Sequence, residues 1–485
     1  MRSSEPSTVS SRRLAGKTSL LNSLLLMFWI AGCGGKTSSN AVAPQTIPQT
    51  YFAPYVAGTS NGGSNLTLPQ TYTIDDTGGT FSQTTFQLQS PEQVGPQVIN
   101  AGILAVGQRG LRSLGITANY IANSAGVPPK YDAVTYNPPE TGSYVVELSG
   151  QSGGLVQLVG QPVVPLVAAT QCPNFTTPQT YQFVTIPAAL SSSSATQNQF
   201  SWDPTIETAY GSVDISSSGS AVSFQNIHQF TLPLVGGTGA PAQTAASSLT
   251  GACGPTVLGN VTNVPGQLVI TDPGNSSQPP PQAAIGIDAT GGLLVEDNGT
   301  ASTGGTLPGT SPALHYENVL GAGTGAVGLP KPASALDTGA IAGAQYLGFI
   351  YAAGVFTNAS SPTGWSSHLA SFGFSSVPSN CASVAAQNST LIYGGDFTND
   401  DPSTSSSGFG NCDFAIDLGV QDASNNGLYP HATVWVGAAY AANSTGVAYS
   451  FPAVAIAGQI KGKYAIFLIG VDATQPWAVY LLQSN

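Results

Sequence analysis

Ser143-Tyr144-Val145-Val146-Glu147-Leu148 runs into Ser149-Gly150-Gln151-Ser152-Gly153-Gly154 and then into Leu155-Val156-Gln157-Leu158-Val159. Two runs of β-branched and aromatic residues flank a turn made of Gly and Ser, which reads as an antiparallel hairpin. The arrangement recurs. Residues 210–215 face 221–225 across Ser-Ser-Ser-Gly-Ser, and 464–471 face 477–482 across Asp472-Ala473-Thr474-Gln475-Pro476. The last pair is apolar almost throughout, as strands buried on both faces are. Similar runs at 71–74, 84–88, 181–186, 293–296, 346–351 and 433–436 stand between clusters of Gly, Pro, Asn and Ser, and helical periodicity is scarce. The expected fold class is therefore all-β: an antiparallel β-barrel or β-sandwich with long polar loops and two β subdomains.

The Pro-rich stretch 162–178 offers the boundary between those subdomains, giving an N-terminal β domain at 51–169 and a C-terminal one at 170–485. Residues 191–197, 273–281 and 402–410 read as long loops, because strand-like runs resume on both sides. The stretch AIGIDATGGLLVEDNG at 284–299 looks like one blade motif of the NHL-type β-propellers. It occurs once, whereas a propeller repeats its unit four or more times, so the propeller is the alternative fold.

Charge narrows the function. Only 7% of the 485 residues are charged, against about a quarter in ordinary soluble domains, and the acidic residues outnumber the basic ones by 23 to 11. Such a chain lacks the basic footprint that binds phosphate backbones, so nucleic acid is not expected as a partner. Ser, Thr, Asn, Gln and Gly must supply the polar surface, and a surface of that kind changes little as pH falls.

The first 32 residues read as an export signal. Arg12, Arg13 and Lys17 precede an uncharged run at 20–32, which is too short for the roughly 20 apolar residues of a spanning helix. The run ends in Ile30-Ala31-Gly32-Cys33, which resembles the lipobox of bacterial lipoproteins. That resemblance implies cleavage before Cys33, diacylglycerol on its thiol and an acyl chain such as palmitate on the new amino terminus. Two or more chains anchor firmly where one holds marginally. Ser11-Arg12-Arg13 also resembles part of a twin-arginine signal, although Ala15 and Gly16 replace its usual apolar pair. Residues 33–50 are rich in Gly, Ser, Thr and Pro and read as a flexible tether. Gly34 stands where an inner-membrane retention signal has Asp, which favours the outer membrane or cell surface. Losing Arg2, Arg12, Arg13, Lys17 and Glu5 with the signal leaves 7 basic and 22 acidic residues.

Cys172, Cys253, Cys381 and Cys412 remain, an even number in an exported chain, and favour two disulfides. The preferred pairing is Cys172 with Cys253 and Cys381 with Cys412, because neighbours in sequence more often share a subdomain. No C-x₂-C spacing supports a zinc site, and His228, His315, His368 and His431 lie far apart.

Catalytic patterns dissolve in their context. Gly58-Thr59-Ser60-Asn61-Gly62 and Gly150-Gln151-Ser152-Gly153-Gly154 match G-x-S-x-G, but neither stands between a strand and a helix. Gly323-Thr324-Gly325-Ala326-Val327-Gly328 matches G-x-G-x-x-G, yet Pro330 and Pro332 follow where a dinucleotide-binding helix should run, so it reads as a loop. Asp396, Asn399, Asp400 and Asp401 gather hard oxygen donors in one turn-like stretch and are the candidate Ca²⁺ ligands; no other cofactor is expected. Asp413, Asp417 and Asp422 add further carboxylates. Trp202, Tyr210, Trp365, Tyr393, Trp435 and Trp477 either fill the core or line a sugar-binding face, with the core favoured. The leading expectation is a lipid-anchored, non-catalytic binding or adhesion module, whose partner would be cell-wall or surface carbohydrate or a protein. A structural envelope protein and a hydrolase with an acidic site at 396–401 are the alternatives.

Overall fold

The computed structural model describes residues 49–53, 70–88, 93–107, 110–123, 130–148, 151–158, 163–168, 171–186, 190–191, 200–201, 208–232, 241–243, 246–253, 257–258, 261–262, 267–271, 282–288, 291–297, 305–306, 315–316, 325–353, 365–372, 391–396, 414–436, 449–471 and 476–484. All of them belong to one compact unit, 41–485. The fold is all-β and antiparallel, as expected, with a short helix at Thr338–Ala342.

Strand pairing forms three successive rings. In the first, Gln49–Ala53, Gln70–Asp75, Thr80–Leu88, Gln93–Val106, Leu111–Asn123, Lys130–Glu147, Gly153–Gln157 and Val164–Val167 each pair with the next, and Val167 returns to Phe52 to close the barrel. The opening hairpin has Val145 opposite Val156 and Val146 opposite Leu155, so its alternation turns one pair into the barrel and the other outward. The second ring runs Gln179–Ile186, Ala209–Ser218, Ala221–Thr231, Ser247–Cys253, Gln267–Thr271, Gln282–Ile287, Leu294–Asp297 and Gly325–Pro330, and this last strand lies beside Gln179–Ile186. The third is a closed barrel of Tyr346–Ala353, Trp365–Phe372, Leu391–Asp396, Phe414–Asp417, Leu428–Val436, Tyr449–Ile460, Lys463–Val471 and Pro476–Gln483. The first ring occupies the segment read as the N-terminal domain, and the other two follow it. The stretch 284–299 contributes two neighbouring strands of the second ring, so its blade-like look marks a barrel hairpin. Gly325–Pro330, expected as loop, is a strand. Its Gly328 has room for no Cβ, which would stand 2.8 Å from the Gln182 carbonyl oxygen.

Each interior is filled by its own side chains. Tyr51, Tyr72, Phe81, Leu114 and Leu166 pack inside the first ring; Tyr181, Phe183, Ile215, Phe224 and Ile285 inside the second; Tyr346, Phe414, Tyr429, Phe451 and Trp477 inside the third. A fourth apolar cluster lies between the rings. It draws Leu111, Val146, Leu155 and Val167 from the first, Val184, Leu293 and Leu329 from the second, and Phe349, Ile456 and Phe467 from the third. The hairpin tip of the third ring presses onto the second there. A Cβ on Gly458 would lie 3.2 Å from both the Leu329 Cβ and the Pro330 carbonyl oxygen, and Lys461 Nζ reaches Asp288 at 4.0 Å.

Additional segments seal the rings. The Cys172–Cys253 disulfide, with Cα atoms 5.7 Å apart, pins residues 172–175 against the second ring. Ser217 Oγ donates to the Pro173 carbonyl and accepts from Phe175 N–H, both at 2.7 Å, and Phe175 joins the apolar interior. In the third ring the helix Thr338–Ala342 drops Ile341 into the core, its first turn capped by Asp337 Oδ1.

Candidate functional site

Two polar clusters stand out, and only one faces solvent. The first is inside the first ring, where Arg112 donates from Nε and Nη2 to the two Asp76 oxygens at 2.8 and 2.6 Å and from Nη1 to the Gly110 carbonyl at 2.8 Å. Nη2 also stands 2.6 Å from Glu147 Oε2, and the Tyr51 hydroxyl donates to Glu147 Oε1. Side-chain exposure is 1% for Arg112, 0% for Asp76 and 4% for Glu147. Burial opposes the Arg112 charge, but the bond to Asp76 and the charge of Glu147 outweigh it and hold the guanidinium protonated. Burial and Glu147 together push the Tyr51 hydroxyl well above the usual tyrosine range. In the same barrel Asn100 Nδ2 donates to Gln83 Oε1 at 2.6 Å, and Gln83 Nε2 donates to the Tyr72 hydroxyl at 2.7 Å. Arg112, Gln83 and Tyr72 are buried, while Asn100 is partly exposed, and these bonds tie strands of the first ring together across its interior.

The second cluster is the loop 417–428 of the third ring, where that ring meets the second. Its side chains hold its own backbone. Asp417 Oδ1 accepts from Gly419 N–H at 2.8 Å, and Asp422 Oδ1 accepts from Ser424 and Asn425 N–H, both at 2.8 Å. Gln421 Oε1 accepts from Gly427 N–H at 2.8 Å and from Leu336 N–H at 3.2 Å. Asn426 Nδ2 donates to the Pro332 carbonyl at 3.2 Å, while Lys331 Nζ donates to the Ser424 carbonyl and to Asn425 Oδ1 at 3.1 and 3.2 Å. Gly427 closes the loop at φ +85°, where a Cβ would lie 2.4 Å from the Ala457 carbonyl oxygen. The loop is thus fastened to residues 331–336, the link between the second and third rings.

Val420, near the start of the loop, is 82% exposed. Tyr210 of the second ring stacks on the half-buried Phe230 with centroids 5.2 Å apart and an interplanar angle of 14°. Burial raises the Tyr210 hydroxyl pKa, and the neighbouring Asp422 carboxylate adds to it.

The residues singled out in the sequence are scattered. Cys172 and Cys253 are joined as expected. Cys33, Cys381, Cys412, Asn399, Asp400 and Asp401 lie outside the described residues, and of the Ca²⁺ candidates Asp396 is placed only by its backbone, opposite Ala370. Among the described residues no three or more His, Cys, Asp or Glu side chains gather as a metal would require. Ser152 is buried in the hairpin turn. Tyr210, Tyr393 and Trp477 are buried, Trp477 stacked on Phe451 at 5.4 Å, as the core reading of these three aromatics has it. Trp202 and the Trp365 side chain are not described, and Trp435 is half-buried. Loop 417–428 was visible in the sequence only as two carboxylates; its Asp-Ala-Ser-Asn-Asn-Gly stretch was the turn signal that locates it.

No family model and no curated protein matches the chain. Among solved structures it is similar to a variant of the vaccine antigen Transferrin Binding Protein B from Haemophilus parasuis Hp5, at 8% identity and a TM-score of 0.22, over 91% of this chain and 76% of that one. A likeness that distant carries no argument about this protein. No helix among the described residues is long and apolar enough to cross a membrane.

Proposed function

We propose that the protein is an exported lipoprotein, held to the outer membrane or cell surface through lipid on Cys33, that works as a non-catalytic binding module. The anchor rests on the lipobox-like Ile30-Ala31-Gly32-Cys33, and the observation that carries the binding-module reading is the packing of apolar side chains inside each of the three rings. Ligand-binding barrels keep a lumen open, whereas these rings act as a scaffold and leave recognition to what they hold outside. The polar loop at the junction of the second and third rings is such a feature.

Cys33→Ala tests the anchor. The substituted chain is expected in the soluble fraction with its fold intact by circular dichroism, and the wild-type mature chain should carry the mass of diacylglycerol and an acyl group. A Cys33→Ala chain that stays with membranes overturns the anchor. Binding is tested by adding the released chain back to envelopes of cells that lack it. Saturable retention without change to the envelope polymers is expected; non-saturable adsorption, or polymer cleavage, overturns the binding-module reading.

A further inference from the structure

We propose that the first ring takes up an extended strand of a partner protein at a fork in its wall, along the edge of residues 120–123. This rests on the binding-module reading and names its partner. Gln93–Val106 and Leu111–Asn123 pair from Val106 opposite Arg112 as far as Asn100 opposite Asn119, where their pairing ends. Both strands run on. Residues 93–98 stay with Thr80–Leu88, through Val98 opposite Thr84 and Gln93 opposite Leu88, while Tyr120 and Asn123 stay opposite Ala133 and Lys130. The wall thus parts into two ribbons, and among the described residues no strand lies between their facing edges. Bulges set the fork. Register shifts at Gln83/Thr84, Ala101/Gly102 and Ile116/Ala118 fall in all three strand pairs at its base, where an extra residue bends a strand and increases its twist. Thr117 lies in one of these shifts and donates its hydroxyl to the Ala101 carbonyl at 3.2 Å, which ties the base of the fork together.

A strand edge is a template for another chain, and proteins guard the edges they do not use with charges, prolines and bulges. The edges here differ in that respect. Residues 93–98 carry Pro96, which has no N–H to give, and a further register shift at Thr85/Gln87. Residues 130–140 lie beyond the pairing with Gly153–Gln157 on their outer side and carry Lys130, Asp132, Pro138, Pro139 and Glu140. Tyr120-Ile121-Ala122-Asn123 carries no charge and no proline, and it opens with two residues that favour strands. The unguarded edge is the one inside the fork. An incoming strand would take the place that Gln93–Val106 vacates, antiparallel to Leu111–Asn123, and bond main chain to main chain. A two-stranded ribbon is marginal by itself, and a third strand steadies it. Strand direction alternates round the ring, so the fork opens at the end opposite the one where the chain enters at Gln49, facing away from the tether of the anchor reading.

The test uses the released chain with envelopes of cells that lack it, intact or stripped of protein by protease. Retention should be lost on stripped envelopes. On intact ones, hydrogen exchange of the free-edge amides within 120–123 should slow by about tenfold, with Lys463–Val471 unchanged. Adjacent residues of a strand turn their N–H groups to opposite sides. Of Ile121→Pro and Ala122→Pro, one therefore breaks a bond to Lys130–Glu147 and the other removes a donor from the free edge alone. The variant that keeps the melting temperature is the edge variant, and it should weaken retention by about tenfold. If both prolines lower the melting temperature, the exchange measurement on the unaltered chain decides. Retention on stripped envelopes, edge amides that exchange as fast bound as free, or an edge variant retained as well as the unaltered chain overturns the proposal. So does slowing that follows chain concentration with no envelope added, which would put a second copy in the fork. Saturable retention in any of those cases leaves the binding-module reading standing; no retention at all sinks both.

Discussion

At the scale of single residues, the chain is held by polar groups placed where water cannot reach. Arg112, with Asp76 and Glu147, is a buried cluster of one cation and two carboxylates; the cost of desolvating such charges offsets most of their attraction, while removing one partner strands an unpaired buried charge. Its members could not be recognised beforehand. Arg112 follows Leu111 in a strand whose alternation alone assigns it inward, but its partners come from a turn 36 residues earlier and a strand 35 later, and sequence spacing does not reveal such meetings. The buried tyrosines have a consequence in solution. Burial raises the hydroxyl pKa of Tyr51, Tyr72, Tyr181 and Tyr346 in the folded chain above the unfolded value near 10. A group that holds its proton more tightly when folded contributes stability that is full below the unfolded pKa and is lost as pH climbs toward the folded one. The melting temperature should therefore hold up to about pH 10 and fall steeply above it, with the phenolate absorbance of these residues appearing together with unfolding. Titration of all 18 tyrosines near pH 10 in a chain that remains folded would contradict this.

At the scale of elements, hairpins were the legible part. The runs around 143–159, 210–225 and 464–482 all form the pairs that their alternation and turn residues indicated, because the signal for a hairpin is local. Gly325–Pro330 was not legible, since a strand that places glycine against a neighbouring carbonyl shows the composition of a loop. Ring closure was hidden for a similar reason: Gln179–Ile186 meets Gly325–Pro330 across more than 130 residues. The disulfide is the element-scale tie most open to experiment. It closes a separation of 81 residues and holds residues 172–175 at the second ring, so Cys172→Ser with Cys253→Ser should lower stability by ~2–4 kcal/mol, read from urea unfolding. Loss of hydrogen-exchange protection should appear first in Ala209–Ser218 and Ala221–Thr231 and spare Lys463–Val471. Equal loss in all three strands would show that the bond supports the whole molecule and not its second ring.

At the scale of the molecule, the apolar cluster between the rings makes them one body. A fragment spanning residues 41–170 would carry the first ring complete but turn Leu111, Val146, Leu148, Leu155, Val163 and Val167 out of their shared cluster. It is expected to bind a hydrophobic dye and to self-associate, while the whole chain melts in one calorimetric transition. A monomeric, dye-silent fragment together with three separate transitions would mean that the rings are independent. Each ring has eight strands and pairs its last with its first, and an even count brings the chain out at the end where it went in. Topologically, that leaves the entry and the exit of each ring at the same end. The connections that join one ring to the next can therefore stay short, and a loop inserted at the far end of a ring lengthens without rethreading any strand.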